Sequence, residues 1–77
     1  MQLEIRYFGM LAEHANRTHE SIPEFMGTAG ELLDHLEQCH PGLSSFTFQI
    51  AQGHDIISMN DTITHPNISL LPPFAGG

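Results

Sequence analysis

A chain of 77 residues has room for one small domain, because a domain of this size buries only roughly 60% of its unfolded surface. We therefore expect no large internal active site. The formal net charge of −7, from nine acidic residues against two arginines, argues against binding to nucleic acid or to an anionic membrane and favours a basic protein surface.

The distribution of apolar residues predicts a cytoplasmic globular protein. Hydrophobic residues form 40% of the chain and are spread along it. The longest apolar run is far shorter than the roughly 20 residues of a membrane span. The start, MQLEIRYFG, has no basic segment leading into an apolar one, so we expect no signal peptide. Cys39, the single cysteine, can form no internal disulfide, which suits a reducing compartment.

The first elements in chain order are a strand, a short helix and a second strand. Alternation of apolar and polar residues predicts a strand over Gln2 to Phe8. One or two helical turns fit Gly9 to Asn16, and a returning antiparallel strand fits Thr18 to Ile22. The first strand presents Leu3, Ile5 and Tyr7 on one face and Glu4, Arg6 and Phe8 on the other.

The main helix is predicted over TAGELLDHLEQCH, residues 28 to 40. Thr28 followed three residues later by Glu31 is the signature of a capping box, and Pro41-Gly42 ends the helix. Its apolar face is formed by Leu32, Leu33, Leu36 and Cys39. This position favours a buried, inert thiol at Cys39 over a persulfide carrier.

Three further strands are predicted in the second half of the chain. Alternation returns at Phe46 and continues to Ile50, followed by a turn around Gly53 and a short strand at Ile56-Ile57. A turn at residues 65 to 67 precedes a last strand, which Pro72-Pro73 must end because proline has no ladder donor. The predicted core set is Leu3, Ile5, Tyr7, Phe46, Phe48, Ile50, Ile68 and Leu70, packed against the helix leucines.

The opposite sheet face is expected to be polar, yet it carries apolar residues. Phe8 and Leu71 lie there, together with one of the neighbours Ile56 and Ile57, since consecutive strand residues point to opposite sides. They are either scattered surface residues or a contact patch. We take Phe8, Ile56 and Leu71 as the candidate partner-binding patch.

The histidines do not predict a metal site. No two of the six have the i, i+4 spacing that places two ligands on one helix face, so we expect no bound metal. The predicted organisation is one domain over residues 1–71, followed by a flexible Gly-Gly tail over residues 72–77.

Four segments of the chain resemble one known family. These are YFGMLAE from Tyr7, TAGELLDHL from Thr28, the Ile50-Ala51 pair before a hairpin, and above all the ending LLPPFAGG. Together they resemble the ubiquitin-like sulfur carriers that include the molybdopterin synthase small subunit and the thiamine-pathway carrier. The resemblance implies an α+β, β-grasp fold: a mixed sheet of about four or five strands with one main helix on one face and a short extra helix. The chain departs from the family pattern at two turns, with Gly53 in the hairpin and His65-Pro66-Asn67 before the last strand.

The same resemblance implies a reaction at the tail. In such carriers an E1-like adenylating enzyme uses ATP to activate the terminal carboxylate, here that of Gly77. A persulfide donor then converts the adenylate to a thiocarboxylate, whose sulfur attacks a pterin precursor in the large subunit of a heterotetrameric synthase. The chain itself is implied to bind no cofactor and to have no catalytic site when alone.

The order of residues in the tail suits this chemistry. The predicted tail comprises Pro72, Pro73, Phe74, Ala75, Gly76 and Gly77. The prolines stiffen its start, Phe74 is a candidate anchor in a partner pocket, and the glycines can pass through a narrow tunnel. Extended, the six residues reach about 20 Å.

Two other functions are compatible with a tail of this kind. The chain could serve another sulfur-transfer pathway, such as that of thiamine, or it could be a protein modifier joined through Gly77 to lysines of its targets. The PPFAGG ending favours the molybdopterin branch by resemblance.

Overall fold

The computed structural model describes residues 1–73, in which two strand–helix units and a 3-10 helix are followed by three strands. The elements are β1 (Leu3–Tyr7), α1 (Met10–Ala15), β2 (His19–Ile22), α2 (Ala29–Cys39), a 3-10 helix (Leu43–Ser45), β3 (Gln49–Gln52), β4 (Asp55–Ile57) and β5 (Asn67–Leu71). No helix in this part of the chain is long and apolar enough to cross a membrane.

The strands form one mixed sheet in the order β2-β1-β5-β3-β4. The two central strands, β1 and β5, run parallel with Ile5 opposite Ile68, and the other neighbours are antiparallel. A parallel pair requires a long crossover, and here it includes α2. This is the small, ubiquitin-like β-grasp fold that the sequence predicted, with two α-helices among the described residues.

Helix α2 begins at the predicted capping box. The Thr28 hydroxyl accepts a hydrogen bond from the Glu31 amide at 3.2 Å, and the Glu31 carboxylate accepts one from the Thr28 amide at 2.8 Å. The two bonds satisfy amide groups that a helix start leaves unpaired. Ala29, Leu32 and Leu36 are fully buried below it.

Replacing Thr28 by alanine should therefore lower the free energy of unfolding by about 0.5 to 2 kcal/mol. Thr64→Ala, at an exposed position outside the strands and helices, is the matched control and should change it little. Urea denaturation of both variants measures the difference. Equal stabilities would show that the box contributes nothing.

The predicted core is confirmed except at its two phenylalanines. Leu3, Ile5, Ile50, Ile68 and Leu70 are at most 2% exposed. Phe46 and Phe48, in contrast, are only partly buried at the edge of this cluster.

The strand predicted from Phe46 begins only at Gln49, and the reason lies in its neighbour. Strand β3 pairs with β5 from the Gln49–Leu71 position onward. Strand β5 ends there, before Pro72, so residues 46–48 have no ladder to join. The Glu37 carboxylate accepts hydrogen bonds from the amides of Gly42 (2.7 Å) and Ser44 (2.8 Å), which stabilises the 3-10 helix instead.

The prediction of a buried Cys39 is wrong, because the thiol is exposed. The buried face of α2 continues from Leu36 to His40, which is four residues further along the chain. Cys39, which is only three residues beyond Leu36, lies outside this face. The His40 side chain is only 11% exposed, whereas Cys39 lies beside His35, with its Sγ 3.9 Å from Nε2.

His40 belongs to a polar cluster on the core side of the sheet that the sequence did not predict. The carboxylate of Glu20 accepts a hydrogen bond from the Tyr7 hydroxyl at 2.8 Å and contacts His40 Nε2 at 2.7 Å. Burial raises the pKa of Glu20, but the hydrogen bonds from His40 and Tyr7 outweigh it, so this pKa is lowered overall. Burial and the Glu20 carboxylate both raise the pKa of Tyr7, which keeps its hydroxyl a donor. The cluster joins β1, β2 and the end of α2.

Stability should fall in acid, and Glu20 should account for part of the loss. A carboxylate with a lowered folded-state pKa binds fewer protons than in the unfolded chain. Its contribution is therefore present above the ordinary pKa of 4.5 and is lost as pH falls through the lower folded value. The unfolding temperature, measured from pH 7 to pH 3, should drop below about pH 4.5, and less steeply in Glu20→Gln. Glu13→Gln, at an exposed position on α1, is the control; identical pH profiles for all three chains would contradict a role for Glu20.

Candidate docking face and tail exit

The tail leaves the domain at the end of the central strand β5. Leu71 is the last strand residue, Pro72 is half-buried and Pro73 is exposed. The sequence prediction that the prolines end the strand is confirmed. The predictions about Phe74, Ala75, Gly76 and Gly77 lie outside the described residues.

The turn between β1 and α1 lies close to the start of the tail. Gly9 has a φ of +59°, and a Cβ atom at this position would come within 3.4 Å of Pro72 Cγ. Glycine adopts this positive φ without strain, whereas residues with a side chain rarely do. The start of the tail therefore lies near Phe8 and Met10, the residues on either side of this glycine.

The register places two of the three predicted patch residues side by side. Tyr7 pairs with Leu70 in the parallel ladder, so Phe8 and Leu71, the next residues, lie level with each other on the opposite face. Phe8 is 40% exposed and Leu71 is half-buried. They form an apolar pair at the point where the tail begins.

Ile56 lies on the same face but farther away. It pairs with Ala51, which pairs with Ser69 of β5, whereas Ile57 pairs with Ile50 on the core side. The ladder thus resolves the choice between the two isoleucines: Ile56 points outward and is 54% exposed. It is two strands, about 10 Å, from β5. Its membership of a patch with Phe8 stays a prediction.

The outer face carries little of the chain's negative charge. Of the nine acidic residues, Glu4 is the only one at an outward strand position within the described ladders. Hydrogen bonds from Ser21 and then His19 lower the pKa of Glu4. The exposed Arg6 is two residues along the same strand. An apolar contact on this face therefore removes few charges from water, which keeps the cost of desolvation low.

A groove next to the tail exit was missed at the sequence level. It has a volume of about 330 Å³ and is lined by Phe8, Met10, Leu11, Phe46, Pro72 and Pro73, with Thr47 as a further neighbour. A second groove of about 220 Å³ lies beyond Phe46, toward Leu33 and Met59. The only sequence signal was the apolar character of Phe46 and Met10, which sequence reasoning assigned to the core and to a short helix.

Solved structures with the same fold include three informative examples. SAMP1, a small archaeal modifier protein of Haloferax volcanii, superposes with a TM-score of 0.81 at 24% identity, and the match covers 100% of both chains. Subunit 1 of molybdopterin converting factor from Pyrococcus furiosus gives 0.83 at 15% identity, over 95% of this chain and 98% of that one. In the complex of subunits 1 and 2 of molybdopterin-converting factor from Helicobacter pylori, the matched chain gives 0.70 at 28% identity, over 100% of both chains.

The chain has a ubiquitin-like β-grasp fold. Molybdopterin-converting factor subunits and archaeal modifiers share this fold with it. No family model matches the chain, and no curated protein matches it in sequence. The comparisons therefore support the β-grasp prediction at the level of the fold.

Metal-binding side chains do not converge in the part of the chain that the structure describes. Within residues 1–73, no three of His, Cys, Asp or Glu lie close enough together to hold one ion. The chemical features of the site in this part of the chain are instead an apolar face, an apolar groove and, beside both, the first two tail residues, Pro72 and Pro73.

Proposed function

We propose that this protein is a sulfur carrier in molybdenum cofactor biosynthesis, with the carboxylate of Gly77 as its reactive end. The observation that carries the proposal is the position of the tail. Pro72 and Pro73 continue directly from the central strand of a ubiquitin-like domain, beside the outward pair Phe8 and Leu71. One docking event on that face can then deliver the chain end to a partner's active site.

The proposed reaction needs activation because a carboxylate is a poor electrophile. In the E1-like partner, the Gly77 carboxylate attacks the α-phosphate of ATP, forming an acyl-adenylate and releasing pyrophosphate. A sulfur atom from a persulfide donor then displaces AMP, and reduction of the resulting acyl disulfide by a thiol leaves the thiocarboxylate. ATP is bound by the partner enzyme, and this chain supplies only the substrate carboxyl group.

The second partner that we propose is a synthase large subunit, in which the thiocarboxylate sulfur attacks the pterin precursor. The Helicobacter pylori neighbour is a complex of subunits 1 and 2, which supports a partner of this class. We propose that the assembly is a heterotetramer. Gly76 and Gly77 have no side chain beside the reacting carbon, so the end of the arm can enter a narrow tunnel. A reducing cytoplasm, in which Cys39 and the persulfide donor keep their thiols, suits the reaction.

A protein modifier is the second candidate, because one structural neighbour is named as a modifier. The two functions leave different masses on the chain. A thiocarboxylate replaces one oxygen by sulfur and adds about 16 Da, whereas conjugation adds a whole protein.

Co-expression with a candidate adenylating enzyme and large subunit, followed by intact mass spectrometry, tests the proposal. We expect the chain to gain about 16 Da when the adenylating enzyme is present and to lose this mass when the large subunit turns over precursor. Conjugates to other proteins without the 16 Da species would favour the modifier. A loaded chain that supplies sulfur only to thiamine synthesis would assign it to that pathway.

A further inference from the structure

We propose that Arg6 is the charged contact of the docking face, the outer sheet surface around Phe8 and Leu71, and that it pairs with a carboxylate of the partner protein. The partner would then be acidic opposite Arg6, although this chain carries a net charge of −7. This pairing rests on the proposed function, because it belongs to the same docking event.

Arg6 lies beside the apolar pair of the docking face. Phe8 is two residues after Arg6 and points to the same side of the sheet, so roughly 7 Å separates the two positions. In the parallel ladder Arg6 is opposite Ser69, and Leu71 is two residues further along β5. The Arg6 side chain is exposed to solvent. A partner that covers Phe8 and Leu71 therefore also covers Arg6.

The charge of Arg6 is not used within the described part of the chain. Its guanidinium takes part in no ion pair within residues 1–73. Glu4, two residues earlier on the same face, is occupied by other groups: its carboxylate accepts hydrogen bonds from Gln2 and Ser21 and contacts His19. The cation is therefore available to another molecule.

Covering such a charge requires an acceptor on the partner. A guanidinium that leaves water without a partner loses its hydration, and only a paired, hydrogen-bonded arrangement compensates for the loss. A carboxylate fits best, since its two oxygens match the fork of N–H donors on Arg6 and its charge is opposite. The Ser69 hydroxyl, across the ladder, can donate a further hydrogen bond to the same group. Nucleic acid is a poorer occupant, because the chain as a whole repels polyanions.

The distribution of charge makes an acidic contact compatible with an acidic chain. Glu4 is the only acidic residue at an outward strand position in the described ladders, whereas α2 alone carries Glu31, Asp34 and Glu37. The net charge governs the long-range encounter with a partner, but close pairs govern orientation and the rate of dissociation. The docking face can therefore require a carboxylate while the rest of the domain repels one.

The two arginines of the chain provide a matched test. Arg17 is also exposed, but its Nη1 lies 3.8 Å from Glu20 Oε2. Arg6→Gln and Arg17→Gln change the net charge equally, so any long-range effect is the same in both. By isothermal titration with the large subunit, we expect Arg6→Gln to lose roughly tenfold or more in affinity and Arg6→Glu to lose more. Arg6→Lys should lose less than Arg6→Gln, and Arg17→Gln should bind like the unmodified chain.

Nuclear magnetic resonance of the arginine side chains reports the pairing directly. Protein labelled with ¹⁵N has two arginine Nε–Hε groups, those of Arg6 and Arg17. When the large subunit is added, the Arg6 signal should shift and its exchange with water should slow, whereas the Arg17 signal should stay in place. A residue that only supported the fold would show no such change. Thermal denaturation of each variant checks that the fold is retained, as expected for an exposed side chain.

Unchanged affinity of Arg6→Gln would overturn the proposal, and so would an Arg6 signal that does not respond to the large subunit or is already protected in the free chain. Tighter binding of Arg6→Glu would show that the partner is basic at this point. Intact mass after co-expression separates this result from the proposed function. If the unmodified chain gains about 16 Da while its affinity is insensitive to Arg6, the pairing is wrong and the carrier function stands. If it never gains this mass, the carrier function itself fails.

Discussion

Deleting Gly77 should abolish sulfur loading and leave the unfolding temperature almost unchanged. The reactive carboxylate would then belong to Gly76 and would lie about 3.5 Å short of its position in the adenylating site. Misplacement by even about 1 Å can reduce a rate by roughly a hundredfold. Adding one residue after Gly77 should have the same effect, because the carboxylate would then be displaced in the other direction.

Stability should be retained because the described strands, helices and buried core all end before residue 72. Strand β5 ends at Leu71, and the buried core of the described residues ends at Leu70. Intact mass after co-expression measures loading, and thermal denaturation measures the fold. The Thr64→Ala chain is a control that should load normally. A chain lacking Gly77 that still restored molybdenum cofactor synthesis would rule out the carrier function.

The elements predicted best were those defined by local periodicity. In β1, the alternation of Leu3, Ile5 and Tyr7 identified both the strand and its buried face, because every second side chain of a strand points to the same side of the sheet. In α2, the Thr28–Glu31 pair identified the helix start through contacts three residues apart. Both signals are contained in a few consecutive residues.

The failures came from contacts between distant parts of the chain. Phe46 alternates like a strand residue, but its neighbouring strand ends before it can pair. Glu20 occupies a core-side position that periodicity would give to an apolar residue, and it is tolerated because Tyr7 and His40 supply hydrogen bonds from other elements. Neither partner can be identified without the fold.

The candidate site divides in the same way. The ending PPFAGG was evident from the sequence, whereas the adjacency of Phe8 and Leu71 depends on a parallel ladder between residues more than 60 positions apart. The groove is assembled from three separate segments around Met10, Phe46 and Pro72. Such a surface has no signature in any single stretch of the chain.

Replacing Leu71 or Phe8 by aspartate should weaken binding to the adenylating enzyme and to the large subunit together. One carrier must present its tail to each partner in turn, and the tail leaves the domain beside these two residues. A central apolar interface residue contributes about 2 kcal/mol or more, and about 1.4 kcal/mol corresponds to a tenfold change in affinity. We therefore expect a loss of roughly thirtyfold or more for both partners.

The design separates this face from the groove at the tail exit, which is lined by Met10, Phe46 and Pro72 among others. Leu71 does not line the groove, whereas Phe8 does, so Leu71→Asp reports on docking alone. Met26→Asp is the matched control, since Met26 is 90% exposed and lies outside both grooves. Ile56→Asp measures how far the contact extends toward β4, because Ile56 shares the outer face at a distance of about two strands.

Isothermal titration with each partner gives the affinities. Unchanged affinity of the Leu71 and Phe8 variants for both partners would mean that these residues are scattered surface hydrophobes. Loss with only one partner would mean that the carrier uses a separate face for each.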